Sequence, residues 1–259
     1  MELNKENYHS IEANQHYMSN SQYKDFIECE AMAMAKIRGE LIQPQNDACL
    51  LGSYVHAWAE GDLENFKSST PELFTSKGSL YAKYDVGDRM IQTLRDDPFV
   101  MFVLQGEKEV IIVAEMFGIK WKIRLDVRGK GRLVDIKTMK AIRDKVWNKA
   151  GGYYETVIES YGYLRQLAIY CEIERIDSGG DEWLEPLIVA VSKEDEPDKE
   201  IISLDSERMQ MELELVEKNM PRIIEVKSGF AEPERCGQCK HCRRTKKLTK
   251  ITHYMDLLP

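Results

Sequence analysis

Two short apolar stretches near the middle of the chain each carry an aspartate, and they constrain the fold more than any other feature. The stretches are Arg124-Leu125-Asp126 and Leu133-Val134-Asp135-Ile136-Lys137. Side chains along a strand alternate between faces, so Asp135 and Lys137 project to one side while Ile136 points into a core. If residues 127–133 turn a hairpin, Asp126 reaches the same place. Two carboxylates and an amine would then surround one spot, which suits a hard divalent cation and an attacking water.

The composition is typical of a globular protein with one sizeable core. Of the 259 residues, 43% are hydrophobic. No long uncharged apolar stretch is present, and the first six residues are polar and of mixed charge. We therefore expect neither a membrane span nor a secretory signal, and predict a cytoplasmic protein. We predict a single domain over 1–259, with a helical part over about 1–105, a catalytic sheet with helices over about 106–228 and a cysteine-rich basic segment over 229–259.

Capping residues, glycines and hydrophobic spacing predict the order of the elements. Helices are predicted over 22–38, 49–60, 81–96 and 161–175, and strands over 109–114, 119–127, 133–137, 184–191 and 200–204. The first three strands form a meander, joined at Phe117-Gly118 and at 129–131. A long final helix begins near residue 205 or 206 and has apolar residues at core-facing spacing, namely Met209, Leu213, Val216, Met220 and Ile223.

Five pieces of the sequence, taken in order, resemble the PD-(D/E)XK nuclease superfamily. They are Gly52-Ser53-Tyr54-Val55-His56, Glu115, Arg124-Leu125-Asp126, Asp135-Ile136-Lys137-Thr138 and Gln166-Leu167-Ala168-Ile169-Tyr170. Their order is most similar to the RecE-like branch, the exodeoxyribonuclease VIII type carried by phages and prophages. Each piece is degenerate alone, so the weight comes from their agreement over most of the chain. The resemblance implies an α/β fold like that of restriction endonucleases, with a central mixed sheet flanked by helices.

The resemblance also implies a metal site. Its ligands would be His56, Asp126, Asp135 and the Ile136 carbonyl. Such a set leaves positions on Mg²⁺ for water and a phosphate oxygen. An imidazole suits Mn²⁺ better than Mg²⁺, which makes Mn²⁺ a credible activator as well. Lys137 would orient or deprotonate the attacking water.

Three further residues receive catalytic roles from the resemblance. Glu115 would be an additional ligand or an outer carboxylate, while Gln166 and Tyr170, which share a helix face, would steady the site and the DNA backbone. Each of the matching residues also has an ordinary structural interpretation: a surface ion pair for Asp-x-Lys, a hydrogen-bonded core position for His56, a solvated acid for Glu115 and simple helix packing for the other two. The agreement of the five pieces favours the functional interpretation for Asp126, Asp135 and Lys137, and also for His56.

The cysteines form a second constellation, Cys236-Gly237-Gln238-Cys239-Lys240-His241-Cys242. In a cytoplasmic chain, six cysteines favour thiols or metal ligands over disulfides, and this loop can place three thiolates around one metal centre. Relatives within the superfamily, such as AddB-type helicase-nucleases and certain CRISPR-associated nucleases, use one early cysteine for an iron–sulfur cluster, and Cys29 has the comparable place here. The C-terminal spacing departs from theirs. Three interpretations stay open: a [4Fe–4S] cluster with Cys29, a zinc site with Cys29 or His241, and free thiols.

Basic and aromatic residues follow the second aspartate. The net charge of −8 argues against indiscriminate coating of nucleic acid, so local patches of positive charge matter more than the total. The candidate DNA-binding residues are Lys140, Arg143, Lys145, Trp147 and Lys149. The cations would track the DNA backbone and the aromatic residue, with Tyr153 or Tyr154, would stack on or wedge an end base. The alternative is a solvated loop.

We therefore expect metal-dependent hydrolysis of DNA phosphodiester bonds. The resemblance implies 5′→3′ digestion of one strand of linear double-stranded DNA in phage or prophage recombination, a RecT-type annealing protein as partner and a ring-shaped homo-oligomer. Two alternatives stay open. One is an endonuclease or single-strand nuclease of the same superfamily, and the other is a catalytically silent DNA-binding or zinc-binding adaptor.

Overall fold

The computed structural model describes residues 1–41, 46–149 and 151–257, so the last two residues of the predicted cysteine-rich segment lie outside the described part. The helices are α1 (Ile11–His16), α2 (Asn20–Glu28), α3 (Glu30–Ile37), α4 (Asp47–Glu60), α5 (Leu63–Ser69), α6 (Val86–Arg95), α7 (Pro98–Val103), α8 (Val157–Ser160), α9 (Tyr163–Ser178), α10 (Ser206–Lys227) and α11 (Lys240–Arg244). Short 3-10 helices cover Pro71–Leu73, Ala82–Tyr84 and Tyr254–Leu257. None of the described helices is long and apolar enough to cross a membrane.

Five of the seven described strands form a central mixed sheet. The seven strands are β1 (Glu107–Met116), β2 (Ile119–Gly129), β3 (Arg132–Met139), β4 (Lys145–Asn148), β5 (Tyr153–Thr156), β6 (Glu185–Ser192) and β7 (Lys199–Ser203). The sheet order is β1-β2-β3-β6-β7, and β4 and β5 form a separate hairpin. The first three strands are the predicted antiparallel meander, β6 runs parallel to β3, and β7 closes the sheet antiparallel to β6. This arrangement confirms the expected α/β fold.

Helices cover both faces of the sheet, which explains why β3 is apolar on both sides. On one face, Leu133 packs with residues of α9 and α10 such as Leu167. On the other face, Val134 and Ile136 pack with α4, α6 and α7. All five predicted core positions of α10 are buried.

The helix α4 lies close to β3. The side chain of Asn46 caps its start by accepting a hydrogen bond from the Cys49 amide, and Gly61 ends it with a left-handed backbone (φ 81°). A Cβ atom on Gly52 would lie 3.3 Å from Oγ1 of Thr138. The glycine therefore permits the close approach that presents His56, one turn later, to the sheet.

Three predicted elements differ from the structure. The helix predicted over 22–38 breaks at Cys29, whose extended backbone (φ −170°, ψ 111°) separates α2 from α3. The helix predicted over 81–96 is shorter, and α7 follows it with Pro98 at its first position, capped by Asp97. The connection after β3 contains the β4–β5 hairpin and α8, where only a basic connection was predicted.

Candidate active site

The two aspartates lie where β2 and β3 separate, a place that we call the fork. The strands pair only from Val127 and Val134 to the hairpin turn, and Asp126 and Asp135 stand opposite each other one position beyond the last pair. The Asp126 carboxylate accepts a 2.6 Å hydrogen bond from the Ile136 amide, so a side chain takes the place of the backbone ladder. Because the amide and carbonyl of a strand residue point to the same side, the Ile136 carbonyl also faces the fork.

The second aspartate is held from two sides. Lys137 Nζ lies 2.8 Å from Oδ2 of Asp135, and Gln166 of α9 donates a 2.8 Å hydrogen bond to Oδ1. Tyr170, one turn further along α9, lines the same cleft. The ring of Tyr163 lies 4.9 Å from the Lys137 ammonium and completes its surroundings. The structure thus brings Asp135, Lys137, Gln166 and Tyr170 together around one cleft.

The histidine and an unexpected acid complete the fork. His56 Nδ1 lies 3.5 Å from Oδ1 of Asp126. Ligand atoms of His56, Asp126 and Glu109 all lie within 4.8 Å of one another. Glu109 is buried and has a left-handed backbone (φ 53°) within β1, a conformation that costs a non-glycine residue about 1–2 kcal/mol. Such local strain is often found at functional sites.

The structure corrects the assignment of Glu115. That residue is exposed, pairs with Lys120 beside the turn of the β1–β2 hairpin, and lies six positions from Glu109, or roughly 20 Å along the strand. Glu115 therefore does not belong to the fork, and Glu109 is the carboxylate there. The sequence held a signal for it, because a hairpin centred on Phe117-Gly118 sets Glu109 opposite Asp126.

Burial and crowding shift the protonation of the fork. Burial lowers the pKa of His56, but the Asp126 carboxylate overrides this effect and raises it to about 9. Burial and the neighbouring charge of Asp126 raise the pKa of Asp135 in spite of Lys137. Burial, with help from Glu60, raises the pKa of Glu109 to about 7 against the effect of Arg124. Burial is thus the main cause of the raised carboxyl pKa values in the fork.

The donor set fits a divalent cation. It consists of carboxylate oxygens, one imidazole nitrogen and one backbone carbonyl, which are ligands typical of Mg²⁺ and Mn²⁺. Oε2 of Glu109 lies 2.9 Å from Arg124 Nε, but its buried Oε1 has no hydrogen-bond partner among the described residues. The fork opens into a cleft of about 1010 Å³, which is also lined by Ser19 and Asn20 at the start of α2. There is room for a phosphate group beside the acids.

The candidate DNA-binding residues lie on or near the β4–β5 hairpin, which joins β3 to α8 and α9. Trp147 and Tyr154 are cross-strand partners with ring centroids 5.0 Å apart, and both are at least half exposed. Lys145 lies on the same face of β4, two positions from Trp147. Lys140 and Lys149 are exposed, whereas Arg143 lies 2.6 Å from Glu200 of β7 and is partly neutralised.

The four cysteines named by the sequence come together away from the fork residues. The sulfurs of Cys29, Cys236, Cys239 and Cys242 all lie within 4.8 Å of one another. Cys29 is thus the fourth member of the group, and His241 is not part of it within the described residues. Cys49 and Cys171 lie elsewhere, on α4 and α9.

Comparisons with known proteins were made with the whole chain. A family model described as a PDDEXK-like domain of unknown function (DUF3799) matches residues 19–245, a range that includes the fork and the four cysteines. A comparison with curated proteins finds no match. Among solved structures, the chain is similar to a crystal structure from Eubacterium rectale of a protein described as a "putative exonuclease", with 41% identity over 100% of this chain and 98% of that chain and a TM-score of 0.92.

Proposed function

Since the chain belongs to the PDDEXK-like family, and with it to the PD-(D/E)XK nuclease superfamily, we propose that it is a metal-dependent deoxyribonuclease that degrades linear double-stranded DNA from its ends. The observation that carries the proposal is the fork, where Asp126, Asp135 and Lys137 meet in an open cleft. The description of the Eubacterium rectale relative as an exonuclease supports action at ends.

Each residue of the fork has a task in this reaction. Asp126, Asp135, His56, Glu109 and the Ile136 carbonyl would hold the divalent cation. When bound, such a cation polarises a phosphate oxygen and lowers the pKa of its bound water. Lys137 would orient the attacking water and stabilise negative charge on the phosphate, because its ammonium lies beside Asp135. Gln166 is a positioning residue that fixes the Asp135 carboxylate through one oxygen.

The hairpin is the proposed contact with the DNA end. It joins the strand that carries Lys137 to the helices that lead to Gln166. Trp147 and Tyr154 would stack on a terminal base, while Lys140, Lys145 and Lys149 would follow the phosphates. The RecE-like resemblance extends the proposal to 5′→3′ digestion, to phage or prophage recombination with a RecT-type annealing partner, and to a ring-shaped oligomer.

Digestion of labelled DNA tests the proposal. Linear duplex DNA labelled at either end and closed circular DNA are incubated with Mg²⁺, Mn²⁺ or EDTA, with wild type beside Asp135→Ala. We expect metal-dependent loss of one strand from an end of the linear DNA, an intact circle and an inactive variant. Cutting of the circle would indicate an endonuclease instead. An absence of cleavage with either metal would indicate a catalytically silent DNA-binding protein.

A matched pair of substitutions tests the reassignment of the third acid. Glu109 and Glu115 lie on the same strand and differ in whether they reach the fork. We expect Glu109→Gln to slow cleavage by roughly 10- to 100-fold, and Glu115→Gln to leave the rate unchanged. Equal rates for the two variants would exclude Glu109 from the site.

A further inference from the structure

The cysteine site, defined as Cys29, Cys236, Cys239 and Cys242, is built from the two ends of the chain. Cys29 occupies the break between α2 and α3, where the backbone is extended, and its sulfur lies 3.5 Å from that of Cys242. The sulfurs of Cys236 and Cys242 are 4.0 Å apart. The proposed cleavage reaction uses none of these side chains.

Two of the sulfurs each accept a hydrogen bond from a backbone amide. The Cys239 amide donates a 3.3 Å hydrogen bond to the sulfur of Cys236, and the Cys242 amide donates a 3.3 Å hydrogen bond to the sulfur of Cys239. Hydrogen bonds to sulfur favour the thiolate form, which is the form that binds metals. The spacing of two residues between successive cysteines produces this repeated amide-to-sulfur arrangement.

We propose that the four cysteines bind a single zinc ion in a tetrahedral, structural site. Around one zinc ion with bonds of about 2.3 Å, tetrahedral geometry sets the sulfurs about 3.8 Å from one another. The two distances above bracket this value, and all four sulfurs lie within 4.8 Å. A [4Fe–4S] cluster attaches its cysteines to different irons, so its ligand sulfurs lie on the outside of a larger body. Four sulfurs this close favour the single ion.

The local charge suits four thiolates. Four thiolates and one Zn²⁺ leave two negative charges, which require cations nearby. Residues 240–250, which we call the basic segment, contain six lysines or arginines and no acid. Arg235 adds a guanidinium that donates a 3.0 Å hydrogen bond to the Cys242 carbonyl.

The residues around this site lack a core of their own. Among residues 231–250, only Cys242 is buried. The small apolar cluster beside it consists of Cys29, Ala31, Met32 and Cys242, with Leu41 and Cys239 at its edge. Polar contacts also join the C-terminal region to α3, for example a 2.7 Å hydrogen bond from the Glu234 amide to Glu30. Since the apolar contact is so small, a metal cross-link explains how the basic segment is fixed beside α3.

Metal analysis of the untagged, full-length protein tests the proposal. The protein is purified without oxygen from cells supplied with both zinc and iron, and its metals are measured by mass spectrometry. We expect one zinc ion per chain, no iron and no visible absorption. Iron and sulfide in equal amounts, with the brown colour of a cluster, would overturn the proposal, and so would a protein without bound metal.

Two further measurements identify the ligands. Cys29→Ser and Cys239→Ser should each lose the zinc, whereas Cys49→Ser, which changes an exposed cysteine outside the group, should keep it. Because the first two variants can fail to fold, wild-type protein is also reconstituted with Co²⁺. Intense thiolate-to-cobalt charge-transfer bands and tetrahedral visible bands are expected, and the pale spectrum of octahedral Co²⁺ would contradict four-cysteine binding. These readouts do not depend on DNA cleavage, so they separate this proposal from the proposed function.

Discussion

The fork and the cysteine site differ in what assembles them. In the fork, the acids and the lysine are placed by three strands of one sheet, and packed helices add the histidine and the glutamine. In the cysteine site, residues more than 200 positions apart meet, and one side of the site is a largely exposed segment. The fork is therefore formed by the fold itself, whereas the cysteine site would depend on the zinc ion that we propose it binds.

This difference implies different roles for the cation proposed for the fork and for the zinc ion proposed for the cysteine site. The fork accumulates buried acids, a strained Glu109 and a buried oxygen with no hydrogen-bond partner in the described part of the chain. These features reduce stability and are tolerated because the surrounding core is large. The cation proposed for the fork would then be required for function and not for folding. The proposed zinc ion has the opposite role, because it links two segments that share little apolar contact.

The largest expected effect comes from removing an acid of the fork. Asp126→Ala or Asp135→Ala should reduce cleavage by roughly 10³-fold or more, because each removes a proposed ligand where charge develops. The fold should persist, although Asp126→Ala also removes the hydrogen bond to the Ile136 amide and should lower the melting temperature. Initial rates and thermal melting measured on the same preparations test this contrast, and full activity of Asp135→Ala would show that the fork is not the catalytic site.

A somewhat smaller loss is expected from Lys137→Ala. The variant lacks the ammonium beside Asp135 but keeps every proposed ligand, so Mn²⁺ should still bind while turnover falls by roughly 10²- to 10³-fold. Calorimetric titration with Mn²⁺ and single-turnover cleavage separate the two quantities. Loss of Mn²⁺ binding in this variant would show that Lys137 is needed to form the metal site and not only for turnover.

The fork should also bind its cation more tightly as the pH rises. In the metal-free protein the pKa of His56 is raised to about 9, so at neutral pH the imidazole is protonated and must lose its proton to become a ligand. Affinity for Mn²⁺ should rise about tenfold per pH unit between about 7 and 9, more steeply below 7, where Glu109 must also lose a proton, and level off above 9. Titration in buffers of different ionisation enthalpy measures the released proton. His56→Asn should release less than the wild type, and equal release would exclude the histidine.

Some features of the fold and of the two sites could be predicted from the sequence, and others could not. The meander, the core positions of α10 and the shared side of Asp135 and Lys137 follow from residue spacing alone. The hairpin spacing sets Glu109 opposite Asp126, but it could not reveal the left-handed backbone of Glu109, which is imposed by tertiary structure. The break at Cys29 was missed for a related reason, since the local sequence favours a continuous helix and the packing of two distant segments overrides it.

The β4–β5 hairpin shows a third limit of prediction from the sequence. Its strands are short, polar and aromatic, and it adds little to the main core. No alternation of apolar and polar residues therefore indicates these strands. The aromatic residues themselves were visible in the sequence. Their placement on one exposed face became visible only through the pairing of Trp147 with Tyr154.

A modest effect is expected where α4 approaches the sheet. Gly52→Ala would place a methyl group 3.3 Å from Oγ1 of Thr138 and move the helix by a few tenths of an ångström. His56 should move with it, and cleavage should slow by roughly threefold to tenfold. Ser53→Ala changes the next residue of the same helix without this contact and is the control for stability. A rate for Gly52→Ala equal to the wild type would show that the spacing of α4 is not critical.

The smallest effect on cleavage is expected from the cysteine site, and it tests whether the two regions are independent. Cys239→Ser should lose zinc and allow faster amide exchange in residues 231–245, because that segment has only one buried side chain. Exchange in β3 should stay slow, since the sheet does not depend on the ion. On a short duplex the cleavage rate should change by less than about threefold, as the variant leaves every fork contact in place.

Hydrogen exchange followed by mass spectrometry measures the exchange of both segments, residues 231–245 and β3, in one experiment. Faster exchange in β3 together with a large loss of cleavage would mean that the fork, too, needs the metal cross-link to form, and the contrast between the two sites would fail.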